Sequence, residues 1–214
     1  MKNIYKNYGI VIENEKLLDI ALTHSSFANE HNLESYERLE YLGDATLEIV
    51  CSEYLYKNTT LEEGQMSRLR SLYVCENALY EYSKDINLSK YIKLGNGINQ
   101  ANKTIIADVF EATMAVIYLE KGLDGVRTIF NNLIVPYIER KEDFLMDYKT
   151  LLQESVQTVR KSVTYNLIDE SGPAHHKTFK VEVVIDGLVY GVGIGLSKKE
   201  AEQNAAKEAY MKRA

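Results

Sequence analysis

The chain has little cysteine, proline or histidine and no long hydrophobic run. Cys51 and Cys75 stand apart without C-x-x-C spacing, so nothing marks a redox pair or a cysteine-built metal site. Both fall in apolar, helix-like stretches where reduced, buried thiols are expected. No apolar run approaches the ~18 residues of a membrane span, and Met1 to Tyr8 lack the apolar core of a secretion signal. A cytoplasmic protein is the expectation. Two-residue hydrophobic alternation is missing between Lys16 and Val135, which argues against a sheet there. An excess of positive charge is missing too, because the net charge is −6. That sum hides an asymmetry. Asp147 to Ala214 hold ten basic and nine acidic residues, a net of +1, whereas the remainder holds 15 basic against 22 acidic, a net of −7. With 45% hydrophobic residues the chain is globular rather than disordered.

What is present is acid in apolar surroundings. Glu37, Glu40, Asp44 and Glu48 recur at helical spacing, as do Asp108 and Glu111, so each set shares one helix face. Between Thr104 and Leu119 there is no other charge, and Ile105, Ile106, Val109, Phe110, Met114, Val116 and Ile117 leave that helix almost no polar side. Buried carboxylates without a basic partner must raise their pKa values or bind a cation. An all-oxygen donor set, with neither cysteine nor paired histidine nearby, favours Mg²⁺ or Mn²⁺ over Zn²⁺. The acidic deficit sits in the half where such an ion would cancel part of it.

Apolar periodicity near 3.6 predicts helices over Lys16–Leu22, Tyr36–Tyr56, Glu63–Leu72, Glu76–Lys84, Thr104–Lys121 and Leu123–Asn132. Pro136 and the run Glu139-Arg140-Lys141-Glu142-Asp143 predict a boundary. Beyond it a helix from Tyr148 to about Val159 is expected. A strand over Val163–Asp169 follows, then alternation at Phe179, Val181, Val183 and Ile185, the turn Asp186-Gly187, and a strand over Leu188–Leu196. Ser197-Lys198-Lys199-Glu200 reads as a capping box, and Ala201, Ala205, Ala206 and Ala209 as a small-residue face for lying close on a sheet. The expected architecture is an all-α N-terminal domain, residues 1–143, and a small α+β (α-β-β-β-α) domain, residues 147–214.

These residues resemble the ribonuclease III family of bacterial double-stranded-RNA endonucleases. Glu37-Arg38-Leu39-Glu40-Tyr41-Leu42-Gly43-Asp44-Ala45 is similar to its signature helix, Glu63-Gly64-Gln65-Met66-Ser67-Arg68-Leu69-Arg70 to an intervening motif, and Ile106-Ala107-Asp108-Val109-Phe110-Glu111-Ala112 to a second acidic motif. The last 68 residues resemble a double-stranded-RNA-binding domain, through Asp147 to Glu154, Gly172-Pro173-Ala174-His175 and Ser197 to Glu202.

The resemblance implies a homodimeric phosphodiesterase that cuts both strands of an RNA duplex, leaving 5′-phosphate and 3′-hydroxyl ends with short 3′ overhangs, and that processes ribosomal and other RNA precursors. It implies Glu40, Asp44, Asp108 and Glu111 as the Mg²⁺ ligands, with Mn²⁺ able to substitute, and Glu37 and Glu63 as residues lining the substrate valley. Glu48 has no such assignment and is expected on a solvated face. Tyr41 stands where the family usually has phenylalanine, at a position resembling a dimer-interface plug, where a hydroxyl needs a polar partner. Leu94 to Lys103 form a shorter loop than usual and lack the common glutamate after its second glycine. Glu202 and Gln203 follow the lysine pair, so a third basic contact is absent there.

The chemistry fits the residues. Oxygen-bound metal ions can activate water, neutralise phosphoryl charge and assist the departing 3′-oxygen, and no histidine lies in either acidic stretch to serve as an imidazole base. His24 and His31 read as packing or surface residues. Two antiparallel strands are most simply cut by two sites related by a two-fold axis, with an interface around Tyr41, Leu42 and Ala45, although Leu42 and Ala45 suit an internal core equally well. For binding, Thr150 and Gln153 carry groups suited to 2′-hydroxyls and base edges. His175 could reach a neighbouring minor groove, and Lys198 and Lys199 start a helix whose free N–H groups favour phosphate. Lys177 completes the expected RNA-binding set. Competing readings are a duplex-RNA-binding protein without turnover and a metal hydrolase acting on small nucleotides.

Overall fold

The computed structural model describes residues 3–142, 145–157, 162–173 and 177–213. The chain divides into two compact units, Met1–Leu145 and Met146–Ala214. The first is helical: α1 (Glu15–Ala21), α2 (Ser25–His31), α3 (Glu37–Asn58), α4 (Glu63–Tyr73), α5 (Glu76–Asp85), α6 (Lys103–Ile129) and α7 (Val135–Arg140). The second runs α8 (Tyr148–Gln157), β1 (Val163–Ser171), β2 (Thr178–Ile185), β3 (Leu188–Gly195) and α9 (Lys198–Arg213). Among the described residues no helix is long and apolar enough to cross a membrane.

Helix α6 is the axis of the first unit. Its near-absence of polar residues fits a helix covered on most sides: Ile105 to Ala107, Val109, Phe110 and Ala112 to Ile117 are all buried, while Leu119 emerges at 53% exposure. Asn102 starts it by accepting the Ile105 N–H at 2.9 Å. Phe110 lies edge-on to Tyr5 and tilted against Tyr82, with ring centroids 6.5 and 6.4 Å away, pairs of the kind that each add about 0.5–1.5 kcal/mol beyond area burial. The Tyr5 hydroxyl is satisfied inside the core by Thr113 Oγ1 at 2.6 Å.

Helix α3 packs along α6, and at Gly43 its backbone lies directly against that of α6. A Cβ there would lie 1.8 Å from the Glu111 carbonyl oxygen, so glycine alone allows the two backbones to meet.

The helices expected from the apolar pattern are present within a few residues, with three differences. Ser25–His31 forms α2, unexpected because only Phe27 and Ala28 carry apolar periodicity; the His24 ring caps it by accepting the Ser26 N–H at 3.1 Å. The stretches Thr104–Lys121 and Leu123–Asn132 meet, as expected, at a break at Gly122, whose φ of 65° is non-helical, but the second runs on through a π-helical turn at Phe130–Ile134. Pro136 does not end the helical unit. It sits in the first turn of α7, where its missing N–H is no loss, and the first unit closes at Leu145, just past the charged run.

In the second unit three antiparallel strands lie in the order β1-β2-β3. Asp186 and Gly187, at φ 53° and 80°, make the tight turn that pairs Ile185 with Leu188. Val181, Val183 and Ile185 face inward beneath α9, whose Ala201, Ala205, Ala206 and Ala209 are fully buried. Gly191 and Gly193 on β3 complete the packing, since a Cβ at Gly193 would lie 2.1 Å from the Ala201 carbonyl oxygen. Side chains of α9 engage the outer edge of β3. Val192 N–H donates to Glu208 Oε2 at 2.7 Å, Asn204 Nδ2 to the Ile194 carbonyl at 2.8 Å, and Leu196 N–H to Glu200 Oε2 at 2.8 Å. Four helical residues rise about 6 Å and two strand residues about 6.6 Å, so the two ladders keep step. Ser197 Oγ accepts the Glu200 N–H at 3.1 Å, the forward half of the expected capping box; the Glu200 carboxylate reaches back one residue further than expected, to Leu196. The expected last turn of α8, to Val159, extends beyond the described residues.

Candidate active site

Side by side, α3 and α6 bring Glu40 and Asp44 into electrostatic range of Asp108 and Glu111. Glu111 is half-buried, and its carboxyl is pushed up from the usual 4.5 to about 8, first by burial and then by repulsion from Asp44, Asp108, Glu40 and Glu48. The charged groups acting on it most strongly, among the described residues, are carboxylates. Burial raises the Glu40 carboxyl as well, reinforced by Asp108, Glu37 and Asp44. Asp108 is raised by burial, an effect opposed by a hydrogen bond from Tyr36 and by His24, and reinforced by Glu76. Glu48 is exposed, as expected, yet its field reaches Glu111.

Among the described residues no three His, Cys, Asp or Glu side chains stand close enough to hold an ion as they are placed. The set nonetheless fits a hard divalent cation in its chemistry: oxygen donors only, from two helices fixed by a backbone contact at Gly43, with a proton on Glu111 near neutral pH where a positive charge would serve. Repulsion among uncompensated carboxylates favours splayed side chains, and a bound cation reverses that preference.

Tyr36, His24 and Glu76 were not legible as neighbours of Asp108. The Tyr36 hydroxyl donates to Asp108 Oδ2 at 3.1 Å across 72 residues of sequence. Burial and the surrounding carboxylates drive the Tyr36 phenol far above its usual range, so it remains a donor. Glu76 opens α5 and accepts a hydrogen bond from Thr104 Oγ1 at 3.1 Å.

Glu37 is exposed at the start of α3. Glu63, in the first turn of α4, accepts from Ser67 Oγ at 2.9 Å and lines a cleft of about 300 Å³ with Ser52, Leu55, Tyr56, Met66, Ser67 and Arg70. It is not among the groups that act most strongly on Glu40, Asp108 and Glu111. Tyr41 projects from α3 at 83% exposure, and Ala45, Ile49 and Tyr56 continue an exposed, largely apolar stripe along the helix. Leu42 is half-buried against the core.

In the second unit the Thr150 hydroxyl donates to Asp147 Oδ2 at 2.7 Å, and its N–H to Oδ1 at 3.2 Å, so Thr150 anchors the start of α8. Gln153 is half-buried on the same helix. Lys149 pairs with Glu202 at 2.5 Å, and Gln203 Nε2 donates to Asp147 Oδ1 at 2.8 Å. The two residues that replace a third basic contact therefore tie α9 to α8. Lys177 is paired with Glu170, whose carboxyl it holds below the usual range. Lys198 lies over the Phe179 ring at 5.9 Å, and both Lys198 and Lys199 are exposed in the first turn of α9. His175 lies outside the described residues.

Comparison with known proteins agrees with this arrangement. A family model described as Ribonuclease-III-like matches residues 14–138, and one described as Double-stranded RNA binding motif matches residues 148–212. The chain is 43% identical to the Ribonuclease 3 of Streptococcus thermophilus, covering 97% of this chain and 95% of that one. It is 44% identical to the Ribonuclease 3 of Clostridium tetani, covering 98% and 93%. The first unit is similar to the nuclease domain of ribonuclease III from Campylobacter jejuni, with a TM-score of 0.55 and 33% identity over 63% of this chain and 95% of that one. A second structure of that nuclease domain, similar at a TM-score of 0.54 and 31% identity over 61% of this chain and 96% of that one, is described by structural flexibility in a region involved in dimer formation.

Proposed function

The chain belongs to the ribonuclease III family of double-stranded-RNA endoribonucleases, and from that premise we propose that it cuts both strands of an RNA duplex as a Mg²⁺-dependent homodimer, leaving 5′-phosphate and 3′-hydroxyl ends with short 3′ overhangs, in the processing of ribosomal and other RNA precursors. The observation that carries the metal dependence is the set of carboxylates on α3 and α6 that repel one another, with the Glu111 carboxyl pushed up to about 8 by burial and by its carboxylate neighbours.

Glu40, Asp44, Asp108 and Glu111 are the residues that would hold the ion. The chemistry such an ion supplies is a water of lowered pKa and charge neutralisation at the scissile phosphate. The protein does the rest. Gly43 fixes the spacing of α3 and α6 and hence of the two ligand pairs. Glu111 would have to give up its proton to serve as a ligand, which would couple occupancy to pH. Glu37 and Glu63 are assigned to the substrate valley, where exposed carboxylates can order water beside the RNA.

Duplex recognition falls to the second unit. Lys198 and Lys199 at the start of α9 suit phosphates, and Gln153 and the Thr150 oxygen suit 2′-hydroxyls across the shallow minor groove; His175 and Lys177 are assigned to the same surface. The exposed stripe Tyr41–Ala45–Ile49–Tyr56 is assigned to the two-fold interface, which would supply a second site for the second strand.

Incubation of the full chain with an end-labelled RNA duplex tests this reading. Cutting of both strands with Mg²⁺, binding without cutting when Ca²⁺ replaces it, and near-complete loss of turnover in Glu111→Gln with duplex affinity kept are the expected results. Equal cutting in EDTA defeats it.

A further inference from the structure

Tyr36, which is not among the four assigned ligands, is 4% exposed and precedes the first turn of α3. It is held from several sides. Its N–H donates to the Thr23 carbonyl at 3.0 Å. Its ring lies tilted against the His24 ring at 5.8 Å. Both neighbours are fixed in turn: Thr23 Oγ1 donates to the Asp19 carbonyl at 2.6 Å, and the His24 N–H donates to the Lys93 carbonyl at 3.1 Å while its ring caps α2. From this clamp the Tyr36 hydroxyl reaches Asp108 Oδ2 at 3.1 Å.

A carboxylate on a helix turns about two side-chain torsions, and a donor held on one oxygen removes most of that freedom. Resting on the metal-dependent reading above, we propose that Tyr36 is a positioning residue, whose buried phenol engages Oδ2 of Asp108 and so presents the other oxygen, Oδ1, to the divalent cation. The hydrogen bond leaves Asp108 with one oxygen committed inside the protein and one available, the division of labour typical of metal-binding carboxylates held by outer partners. It also sets the Asp108 side chain relative to Glu40, which lies one turn along α3 from Tyr36.

A purely structural Tyr36 would affect stability alone. A positioning Tyr36 must affect cation affinity. Mn²⁺ binding by the full chain, read as loss of the free-ion electron paramagnetic resonance signal, separates the two in wild type and Tyr36→Phe, which keeps the ring and loses only the hydroxyl. The expected result is affinity weakened about tenfold in Tyr36→Phe, the scale usual for loss of an outer partner. Cutting should recover at saturating Mn²⁺, duplex affinity in Ca²⁺ should be unchanged, and Tyr36→Phe should weaken affinity no further in an Asp108→Asn background. A second measurement does not depend on that variant folding: 3-fluorotyrosine placed at position 36 should show a ¹⁹F resonance that moves on adding Mg²⁺, and does not move in Asp108→Asn. Wild-type Mn²⁺ affinity in Tyr36→Phe, or a ¹⁹F resonance indifferent to Mg²⁺ in a protein that binds it, overturns the inference while leaving the metal site standing. No Mn²⁺ binding by wild type overturns both.

Discussion

Replacing Glu111 by glutamine should make the cation-free protein more stable, and the structure gives the size and the pH window. In the folded chain the Glu111 carboxyl loses its proton near pH 8; unfolded, it does so near 4.5. Between those values the unfolded chain has released a proton that the folded chain keeps, so the contribution of this group is fully present below pH 4.5 and is lost as pH rises toward 8. At pH 7.5 the difference approaches 3 pKa units, which at 1.36 kcal/mol per unit is about 4 kcal/mol. Solvent screening on the open side of the site trims this to about 2–3 kcal/mol. Glutamine resembles the protonated side chain and carries no such penalty. At 2–4 °C per kcal/mol, scanning calorimetry in EDTA at pH 7.5 should show the transition of the first unit about 4–12 °C higher in Glu111→Gln, a gain that nearly disappears at pH 4.5. Saturating Mg²⁺ should raise the wild type, by about 2.7 kcal/mol at a hundred times its Kd, and leave the variant nearly unmoved. If Glu111→Gln in EDTA melts at or below wild type at pH 7.5, or its gain is the same at both pH values, the account of Glu111 as a buried acid awaiting a cation is wrong.

Cation binding should release a proton below pH 8, seen as a calorimetric binding heat that changes with the ionisation heat of the buffer; a buffer-independent heat at pH 7 would contradict the protonated state of Glu111. Gly43→Ala should destabilise the first unit by about 1–3 kcal/mol or more and sharply reduce cutting, because the added Cβ meets the Glu111 backbone; wild-type melting would show that α3 and α6 can separate without loss. Tyr41→Asp should shift the protein to monomer in analytical ultracentrifugation and convert double-strand cutting to nicking, and a stable dimer would remove the Tyr41 stripe from the interface. Lys198→Ala with Lys199→Ala should weaken duplex binding in Ca²⁺ and reduce the salt slope by about 1 for each phosphate no longer held, while an unchanged slope would place the phosphate-binding groups elsewhere.

The two acidic stripes were legible because helical spacing is a local property: Glu37, Glu40 and Asp44, like Asp108 and Glu111, share a face on any helix that contains them. The apolar run around Asp108 and Glu111 announced its own burial in the same way. Tyr36 beside Asp108 was not legible, since the hydrogen bond joins residues 72 apart and is decided by the packing of α3 on α6. Glu76 reached the site for the same reason, through the placement of α5. The short α2 escaped notice because its start is set by the His24 ring, an uncommon cap. The short α7 was not legible because Pro136, in its first turn, opens a helix as readily as it stops one. In the second unit the pattern Phe179, Val181, Val183, Ile185 told which face of β2 turns inward. The engagement of Thr150 by Asp147, and of Lys149 by Glu202, depended on how α8 meets α9.

The ladder of Glu200, Asn204 and Glu208 along β3 has a consequence for a protein expected to work in pairs. An open strand margin invites the margin of another molecule, and tethering two such modules to one dimer would raise their mutual concentration enough to encourage fibre-like stacking. Here the Val192 and Leu196 amides and the Ile194 carbonyl, which would greet a visitor, are already occupied by a helix of the same unit. Helix α9 thus divides its duties: the lysines exposed at its tip are the pair proposed for phosphate, while its flank engages the margin of the sheet.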